Sequence, residues 1–430
     1  MSATTALPKA EKGLENAVQL PVSWKGPITY FVIAALAIFG FGLGSPAGAK
    51  TTFLLSTARD AVKLDPLMVP SRPTAIGLGV LVLALAAFAT YASIKRYKFG
   101  VWLPTLAGVF GILAFLVWSG AGKAESLPLP LLLSQGIIFA IPLAFGAMAG
   151  LINERVGIIN IAIEGQLLAG AFAAAVVATM AGNAYVALLF APIAGALVAV
   201  LLALFSIKYQ VNQIVVGVVL NVLVVGVTSY LFSTVLKENK ATLNTPPGLP
   251  KIEIPLLADI PVIGSVLFNQ NILVYLMFIF VIGLQFLLFR SRWGLRLRSV
   301  GEHPKAADTV GIKVNRTRWI NTIVGGAVAG LGGASFTIAA AIGFGKDMTA
   351  GKGYIALAAM ILGRWNPKGA FAAALLFGFA EALRGTLSII GTPVPTQFLA
   401  MLPYLATIFA VAGLVGRVRA PAAEGVPYTK

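Results

Sequence analysis

Long apolar runs, broken by short charged segments, dominate this sequence of 430 residues. A membrane-crossing helix needs about 20 apolar residues, since a rise of about 1.5 Å per residue must span roughly 30 Å of hydrocarbon. The sequence therefore predicts an all-α polytopic membrane protein with about twelve transmembrane helices. The predicted spans are 28–44, 75–94, 99–119, 130–151, 157–181, 184–206, 213–236, 271–289, 319–342, 353–363, 369–388 and 397–416.

One predicted span is too short to cross the membrane straight. It is the segment 353–363, GYIALAAMILG. At about 1.5 Å per residue it covers roughly half of the hydrocarbon core. The sequence predicts either a half-helix here or a helix that extends backward through residues 348–352.

Charged residues are scarce and mostly basic. They make up 11% of the chain, against about 25% in a soluble domain, and the net charge is +17. So few charges cannot cover a water-facing surface. In a membrane protein, lysine and arginine in short loops set the orientation, so the positive charge indicates topology rather than nucleic-acid binding.

The loop charges predict that both termini are cytoplasmic. With the N-terminus inside, the basic groups on the inner side are Lys95, Arg96, Lys98, Arg155, Lys208, the 290–318 segment, Arg364, Lys368, Arg417 and Arg419. The outer loop 45–74, which also carries basic residues, is the exception. The predicted organisation is a cytoplasmic tail (1–27), a three-span extension (28–128), a core (129–416) with the inner loop 290–318, and a cytoplasmic C-terminal tail (417–430).

Cysteine is absent and histidine occurs once, as His303. Disulfides, thiolate metal sites and Cys/His catalysis are therefore excluded. A phosphate-binding loop needs the pattern G-x-x-x-x-G-K-[ST]. The nearest stretch, GSPAGAKT at 44–51, has Ala49 in place of the second glycine. The sequence predicts no metal or cofactor bound by this chain and no nucleotide site in it.

The inner loop contains a short predicted helix within RSVGEHPKAADTVGIKV, residues 298–314. Pro304 suits the first helical position, His303 is the predicted N-cap residue, and Gly311 suits the end. We expect Ala306, Ala307 and Val310 to share one face. A helix of about two turns is unstable alone, so it must pack against the bundle or a partner. From spacing alone, a basic connector resting on lipid headgroups is equally compatible.

The segment GEHPKAADTVGI resembles the G-E-N-P-x-A-A-x-x-x-G-I segment of ABC-importer permeases in the ribose and branched-chain amino-acid superfamily. In that family it is the coupling helix, which docks into a groove on the cytoplasmic ATPase. His303 stands where asparagine is commoner. The coupling residues implied by the resemblance are Gly301, Glu302, His303, Pro304, Ala306, Ala307, Gly311 and Ile312.

Three further segments are similar to the same superfamily. ERVGIINIAIEGQLLAGAF (154–172) and GKGYIALAAMILGRWNPKGAFAAALLFG (351–378) match its general pattern. The ending QFLAMLPYLATIFAVAGLVGRVRAPAAEGVPY (397–428) resembles the nucleoside, or simple-sugar, branch in particular. The resemblance spans about residues 130–428 and leaves out the first three predicted spans.

The resemblance implies a non-enzymatic permease subunit of a plasma-membrane importer, and the resemblance to the nucleoside branch implies that its substrates are nucleosides. It implies a second, different permease subunit, a cytoplasmic ATPase that binds ATP and Mg, and an extracytoplasmic substrate-binding lipoprotein. Simple sugars and branched-chain amino acids are alternative substrates. From the residues alone, an ion-gradient-driven secondary transporter or a non-transporting membrane scaffold are rivals.

Polar residues inside the apolar spans are candidates for the substrate pathway, because a charge at a helix centre is too costly to face lipid. These candidates are Asn160, Glu164, Asn221 and Glu381. For Glu164 we favour a structural interpretation, a hydrogen-bond hub that holds the start of its own helix and caps N–H groups freed by Gly157, over contact with substrate. Glu381 and Arg384 are spaced to pair with each other. The glycine pairs at 146/150 and 326/330 predict close helix packing.

Overall fold

The computed structural model describes residues 24–57, 60, 62–97, 100, 102–392, 394–401, 404 and 420–429. Helices α1 to α8 are Lys25–Ala35, Ser71–Ile94, Trp102–Ser119, Leu129–Arg155, Ile163–Ala181, Ala184–Ala203, Gln213–Leu231 and Lys240–Leu243. Helices α9 to α15 are Ile272–Arg290, Arg292–Glu302, Pro304–Thr309, Val314–Gly333, Lys352–Leu362, Pro367–Ile390 and Thr396–Ala400. Wider π-helical turns continue α1, α6 and α7 to Gly42, Lys208 and Leu236.

The strands are short. Strands β1 to β5 are Lys50–Leu54, Leu67–Pro70, Leu127–Pro128, Lys251–Glu253 and Asn269–Asn271. Strand β1 pairs in parallel with β3, with Phe53 opposite Leu127. Strand β4 pairs antiparallel with β5, with Lys251 opposite Asn271. These strands tie together loops outside the apolar helices.

Nine helical segments in the described part of the chain are long and apolar enough to cross a membrane. They are Lys25–Gly42, Ser71–Ile94, Trp102–Ser119, Leu129–Arg155, Ile163–Ala181, Ala184–Lys208, Gln213–Leu236, Ile272–Arg290 and Pro367–Ile390. Each corresponds to a predicted span, so the all-α polytopic fold is confirmed. The span 397–416 lies largely outside the described residues, so the total of twelve and the cytoplasmic termini stay predictions.

The predicted span 319–342 has the wrong bounds. Helix α12 starts five residues earlier, at Val314, and ends at Gly333. The chain then turns, because the Asn244 side chain accepts from the Phe344 N–H (2.6 Å) and donates to the Phe344 carbonyl (3.0 Å). Those bonds, with the left-handed backbone of Ala341 (φ 53°), replace a continuing helix.

Two other predicted starts are resolved by glycines with left-handed backbones. Helix α13 begins at Lys352 directly after Gly351 (φ 80°), so the half-helix alternative is confirmed over the backward extension. Helix α5 begins at Ile163 rather than 157, because Gly157 (φ 89°) turns the chain after α4. Left-handed backbone is accessible to glycine without the clash that a Cβ would cause.

The chain divides into two compact units. Among described residues, the first contains α1, α2 and α3, packed through small buried side chains such as Ala34, Ala86 and Ala107. The second comprises Thr52–Leu67 and the chain from Glu125 onward. Its core surrounds α4, which packs against α9, α12, α13 and α14.

Both predicted glycine pairs lie at helix contacts, as expected for close helix packing in lipid. A Cβ on Gly330 would lie 2.2 Å from the Ala191 carbonyl oxygen of α6. A Cβ on Gly326 would lie 2.3 Å from the Cβ of Ala199, also on α6. Gly146 and Gly150 of α4 face α13 and α5 in the same way. These contacts place α13 and the start of α5 beside α4, where the candidate site lies.

Candidate functional site

The N-terminus of the half-helix α13 is held by one buried carboxylate. Glu164 accepts hydrogen bonds from the backbone N–H groups of Gly351 (2.8 Å) and Gly353 (2.5 Å). The first N–H groups of a helix have no hydrogen-bond partner within the helix. A negatively charged carboxylate is also stabilised near the positive, N-terminal end of the helix dipole. A Cβ on Gly353 would lie 2.5 Å from the Glu164 Cα, so only glycine permits this approach.

This contact corrects one part of the sequence-based interpretation. Glu164 is a hydrogen-bond hub, but the N–H groups that it binds belong to α13, not to the turn at Gly157. It is 4% exposed and lies in the first turn of α5. Its partners are 187 and 189 residues away along the chain. The carboxylate therefore joins two distant helices.

The other end of α13 is held by two consecutive residues of α4. The indole Nε1 of Trp365 donates to Glu154 (2.6 Å), and the Arg155 guanidinium donates to the Trp365 carbonyl (2.7 Å). Arg364 and Trp365 both have left-handed backbones (φ 57° and 50°), which a specific set of contacts must maintain. We call Glu154, Arg155, Glu164, Gly351, Gly353 and Trp365 the α13 clamp.

The turn 156–162 between α4 and α5 is fastened by amide side chains. The Ile159 N–H donates to Gln213 (2.7 Å), and Asn160 and Gln166 exchange hydrogen bonds. Asn221 accepts from the Gly165 N–H (2.8 Å). These side chains are buried, so their hydrogen bonds offset the cost of removing polar groups from water.

Asn221 also connects this turn to α13. Its amide nitrogen donates to the Ile161 carbonyl (2.9 Å) and lies 3.0 Å from the Tyr354 hydroxyl. Tyr354 is 47% exposed, whereas Asn221 is 4% exposed. Of the predicted pathway candidates, Asn160, Glu164 and Asn221 are thus brought together in a buried network, and their contact with substrate stays a prediction.

Glu381, the fourth candidate, lies apart from that network. It accepts from Arg384 (2.6 Å), as the spacing predicts, and lies 4.0 Å from Lys352. Its side chain is half-buried. Together with Lys352 and the rings of Phe139 and Phe377 it lines a small cleft beside the start of α13.

The short helix predicted in the loop 290–318 is present as α11. It begins at Pro304, follows His303 at the N-cap position, and is followed by Gly311 with a left-handed backbone (φ 84°). The His303 side chain makes no capping hydrogen bond. The prediction of a shared face is wrong: Ala307 is buried at 3% exposure, whereas Ala306 and Val310 are exposed. Positions 306 and 310 share a face at helical spacing, and 307 points about 100° away, into the core.

The segment before α11 lies directly against the α13 clamp. A Cβ on Gly301 would lie 2.2 Å from the Arg155 carbonyl oxygen, so α10 touches the end of α4 at backbone distance. On the opposite side, Glu302, His303 and Ala306 are exposed. We call residues 301–312 the coupling segment, after the role that the family resemblance implies. In the part of the chain that the structure describes, one face of this segment is exposed, and Gly301 packs against the residues that hold α13.

The chain is similar to known membrane permeases. Residues 132–412 match the family model described as the permease component of branched-chain amino-acid transport systems. The chain belongs to this permease family. The guanosine ABC transporter permease protein NupQ of Bacillus subtilis is 38% identical over 70% of the chain and 97% of its own length. The nucleoside ABC transporter permease protein NupC of Lactococcus lactis is 37% identical over 70% and 98%. No solved structure matches the chain significantly.

The family match shows which part of this chain is common to the permease family. It begins within α4 and leaves out α1, α2 and α3. The clamp and the coupling segment lie inside it. With nine apolar helices in its described residues, the permease is a multi-pass protein of the cell membrane.

The clamp residues Glu154, Arg155 and Trp365 are not among the site residues that the sequence predicts; Arg155 is named there only as a basic group on the inner side. They do occur in two segments that resemble the family, which run from 154 and from 351. Two polar residues, Glu154 and Arg155, at the end of an apolar span were a usable signal, because such groups need partners near the membrane. The pairing itself bridges 211 residues for Glu154 and Trp365 and has no signature in local spacing.

Glu164→Ala is expected to destabilise the permease and to reduce uptake at least tenfold. The substitution leaves two buried N–H groups of α13 without an acceptor, at about 1–3 kcal/mol for each. The measurement is the melting temperature of the purified protein, together with uptake in vesicles. Glu238→Ala, at an exposed position, is the matched control. An unchanged melting temperature for Glu164→Ala would show that the clamp bonds do not contribute.

Proposed function

We propose that this permease is one of two different permease subunits of an ATP-driven nucleoside importer. The observation that carries the proposal is the similarity to NupQ and NupC over nearly their whole lengths. A second guanosine permease protein of Bacillus subtilis, NupP, is 26% identical over 83% of the chain. Lactococcus lactis likewise has NupB, at 22% identity over 66% of the chain. NupQ and NupP come from one organism, and NupC and NupB from another, and in each pair the first protein is the more similar to this chain. We therefore assign the chain to the NupQ-like position in a heterodimer.

The partner of the exposed face of α11 is, in this proposal, a cytoplasmic ABC ATPase that binds ATP and Mg. The permease sequence has no phosphate-binding loop of its own, so the energy comes from another chain. An extracytoplasmic lipoprotein delivers the substrate to the outer mouth. The residues proposed to contact or shape the ATPase-docking surface are Gly301, Glu302, His303, Pro304, Ala306, Ala307, Gly311 and Ile312.

The clamp supplies a physical route from the ATPase to the membrane. Movement of the coupling segment pushes on Arg155 through Gly301, since their backbones are in contact. Arg155 holds Trp365 at the inner-loop end of α13. A packed contact of this kind transmits displacement, because close-packed interiors have low compressibility. The half-helix α13 is therefore the element proposed to shift when access changes sides.

The decisive test is uptake by a reconstituted transporter. The permease, its partner permease, the ATPase and the binding lipoprotein are placed in vesicles and offered labelled guanosine, adenosine, ribose, glucose and leucine. We expect ATP-dependent uptake of the nucleosides. Uptake of sugar alone would favour the branch of the putative glucose permease protein TsgC13 of Haloferax volcanii, which is 30% identical over 64% of the chain. Leucine alone, or an ion gradient acting without the ATPase, would contradict the proposal.

A further inference from the structure

The C-terminal segment 420–429 returns to the coupling segment and binds it. The Ala423 N–H donates to the Gly301 carbonyl (2.8 Å), and the Glu302 carboxylate accepts from the Ala422 N–H (3.3 Å). Pro421 and Ala423 are buried. We call residues 420–428 the tail strap. It contacts the coupling segment at Gly301 and Glu302, directly before α11.

The same strap binds two other elements of the core. The Gly425 N–H donates to the Gly157 carbonyl (3.2 Å) in the turn between α4 and α5. The Arg318 guanidinium of α12 donates to the Val426 carbonyl (2.8 Å). The strap therefore meets three parts of the protein at one place: the coupling segment, α12 and the turn that leads to Glu164.

Loss of the hydrogen bond between Arg318 of α12 and the strap would destabilise the fold. Arg318 is 2% exposed, and its Nε and Nη2 atoms have no hydrogen-bond partner among the described residues. Among the described residues, the Val426 carbonyl is thus the acceptor for the buried Arg318 guanidinium. Removing one partner of a buried charged group leaves its desolvation uncompensated. The strap is consequently packed against the core of the protein.

The fit of the strap is specific. Gly425 has a left-handed backbone (φ 73°), and a Cβ there would lie 2.8 Å from Ile159. The carboxyl group of Glu424 lies beside that of Glu154 at the end of α4. Burial raises the pKa of Glu424 above its ordinary value. Glu154 also accepts from Trp365, so the strap reaches the α13 clamp directly.

We propose that the tail strap is a positioning element that locks the coupling segment to the α13 clamp, so that movement of the ATPase is transmitted to the membrane helices. This rests on the proposed role of α11 as the ATPase contact. Without the strap, α11 would keep its exposed docking face, but its junction with α12 and the 156–162 turn would be loosened. The permease would then bind the ATPase and couple it poorly.

The test compares transport with ATP hydrolysis in the complete reconstituted transporter. A chain shortened after Ala420 is expected to import at least fivefold fewer substrate molecules per ATP hydrolysed, while hydrolysis persists. The matched control is a chain shortened after Tyr428, which keeps the whole strap. The substrate is the compound that the intact transporter imports in the uptake experiment above.

Point substitutions decide the matter if the shortened chain fails to assemble. Gly425→Val and Gly425→Leu are the test variants and are each expected to at least halve the transport per ATP, because a Cβ at Gly425 would lie 2.8 Å from Ile159 and displace the strap. The control is Gly182→Val, at another glycine with a left-handed backbone, where a Cβ meets nothing within 4 Å. An unchanged ratio in variants that assemble with the ATPase would overturn the strap proposal. An intact transporter without ATP-driven uptake would instead overturn the proposed function.

Discussion

Gly330→Val is expected to prevent most of the permease from reaching a folded state in the membrane. The backbones of α5, α6 and α12 converge at this glycine. A Cβ on Gly330 would lie 2.2 Å from the Ala191 carbonyl oxygen of α6, and a Cβ on Gly170 of α5 would lie 2.1 Å from the Gly330 carbonyl oxygen. Gly195 meets Gly330 at the same point. Overpacking a fitted core costs about 1–3 kcal/mol and sometimes more. Because backbone atoms rather than flexible side chains are displaced, we expect at least the upper end of that range.

The control for this substitution is Gly226→Val. Gly226 also lies inside an apolar helix, α7, but a Cβ there meets nothing within 4 Å. The amount of folded permease extracted from membranes and its melting temperature are the measurements. We expect at least a fivefold loss in the amount of folded permease for Gly330→Val. The amount and the melting temperature of Gly226→Val should be close to those of the protein without a substitution. Equal levels of both variants would show that α5, α6 and α12 do not need this close contact.

The architecture of the permease follows from local sequence features. Apolar length predicts the spans, because each one must satisfy its own backbone hydrogen bonds within lipid. The bounds of α11 follow from Pro304 and Gly311, whose preferences are properties of single residues. The half-helix at 353–363 follows from its length. In each case the decisive physics acts within a few residues along the chain.

The contacts that build the candidate site do not follow from local features. Glu164 binds N–H groups almost 190 residues away, and nothing in its own segment identifies that partner. The early end of α12 depends on Asn244, in a different loop. The turning of Ala307 into the core depends on which side of α11 meets the bundle. The three-way contact of the tail strap is likewise a product of tertiary packing, which residue spacing does not encode.

Ala306→Trp is expected to abolish ATP-driven uptake, with at least a tenfold loss, while leaving the permease folded in the membrane. Ala306 is exposed on α11, so an indole there points away from the core. A bulky group at the centre of a complementary docking face prevents close approach of the partner, and a tenfold loss of affinity corresponds to about 1.4 kcal/mol. Uptake in vesicles and co-purification of the ATPase are the measurements, and both should fall.

Ala307→Trp separates docking from folding on the same helix. Ala307 is 3% exposed and belongs to the main apolar core, so the indole has no space and the melting temperature itself should fall. Val211→Trp, on the exposed turn before α7, places the same large group elsewhere and should change neither uptake nor stability. If Ala306→Trp retained both uptake and the ATPase, the exposed face of α11 would not be the docking surface. The ATPase would then have to bind the permease through another inner loop.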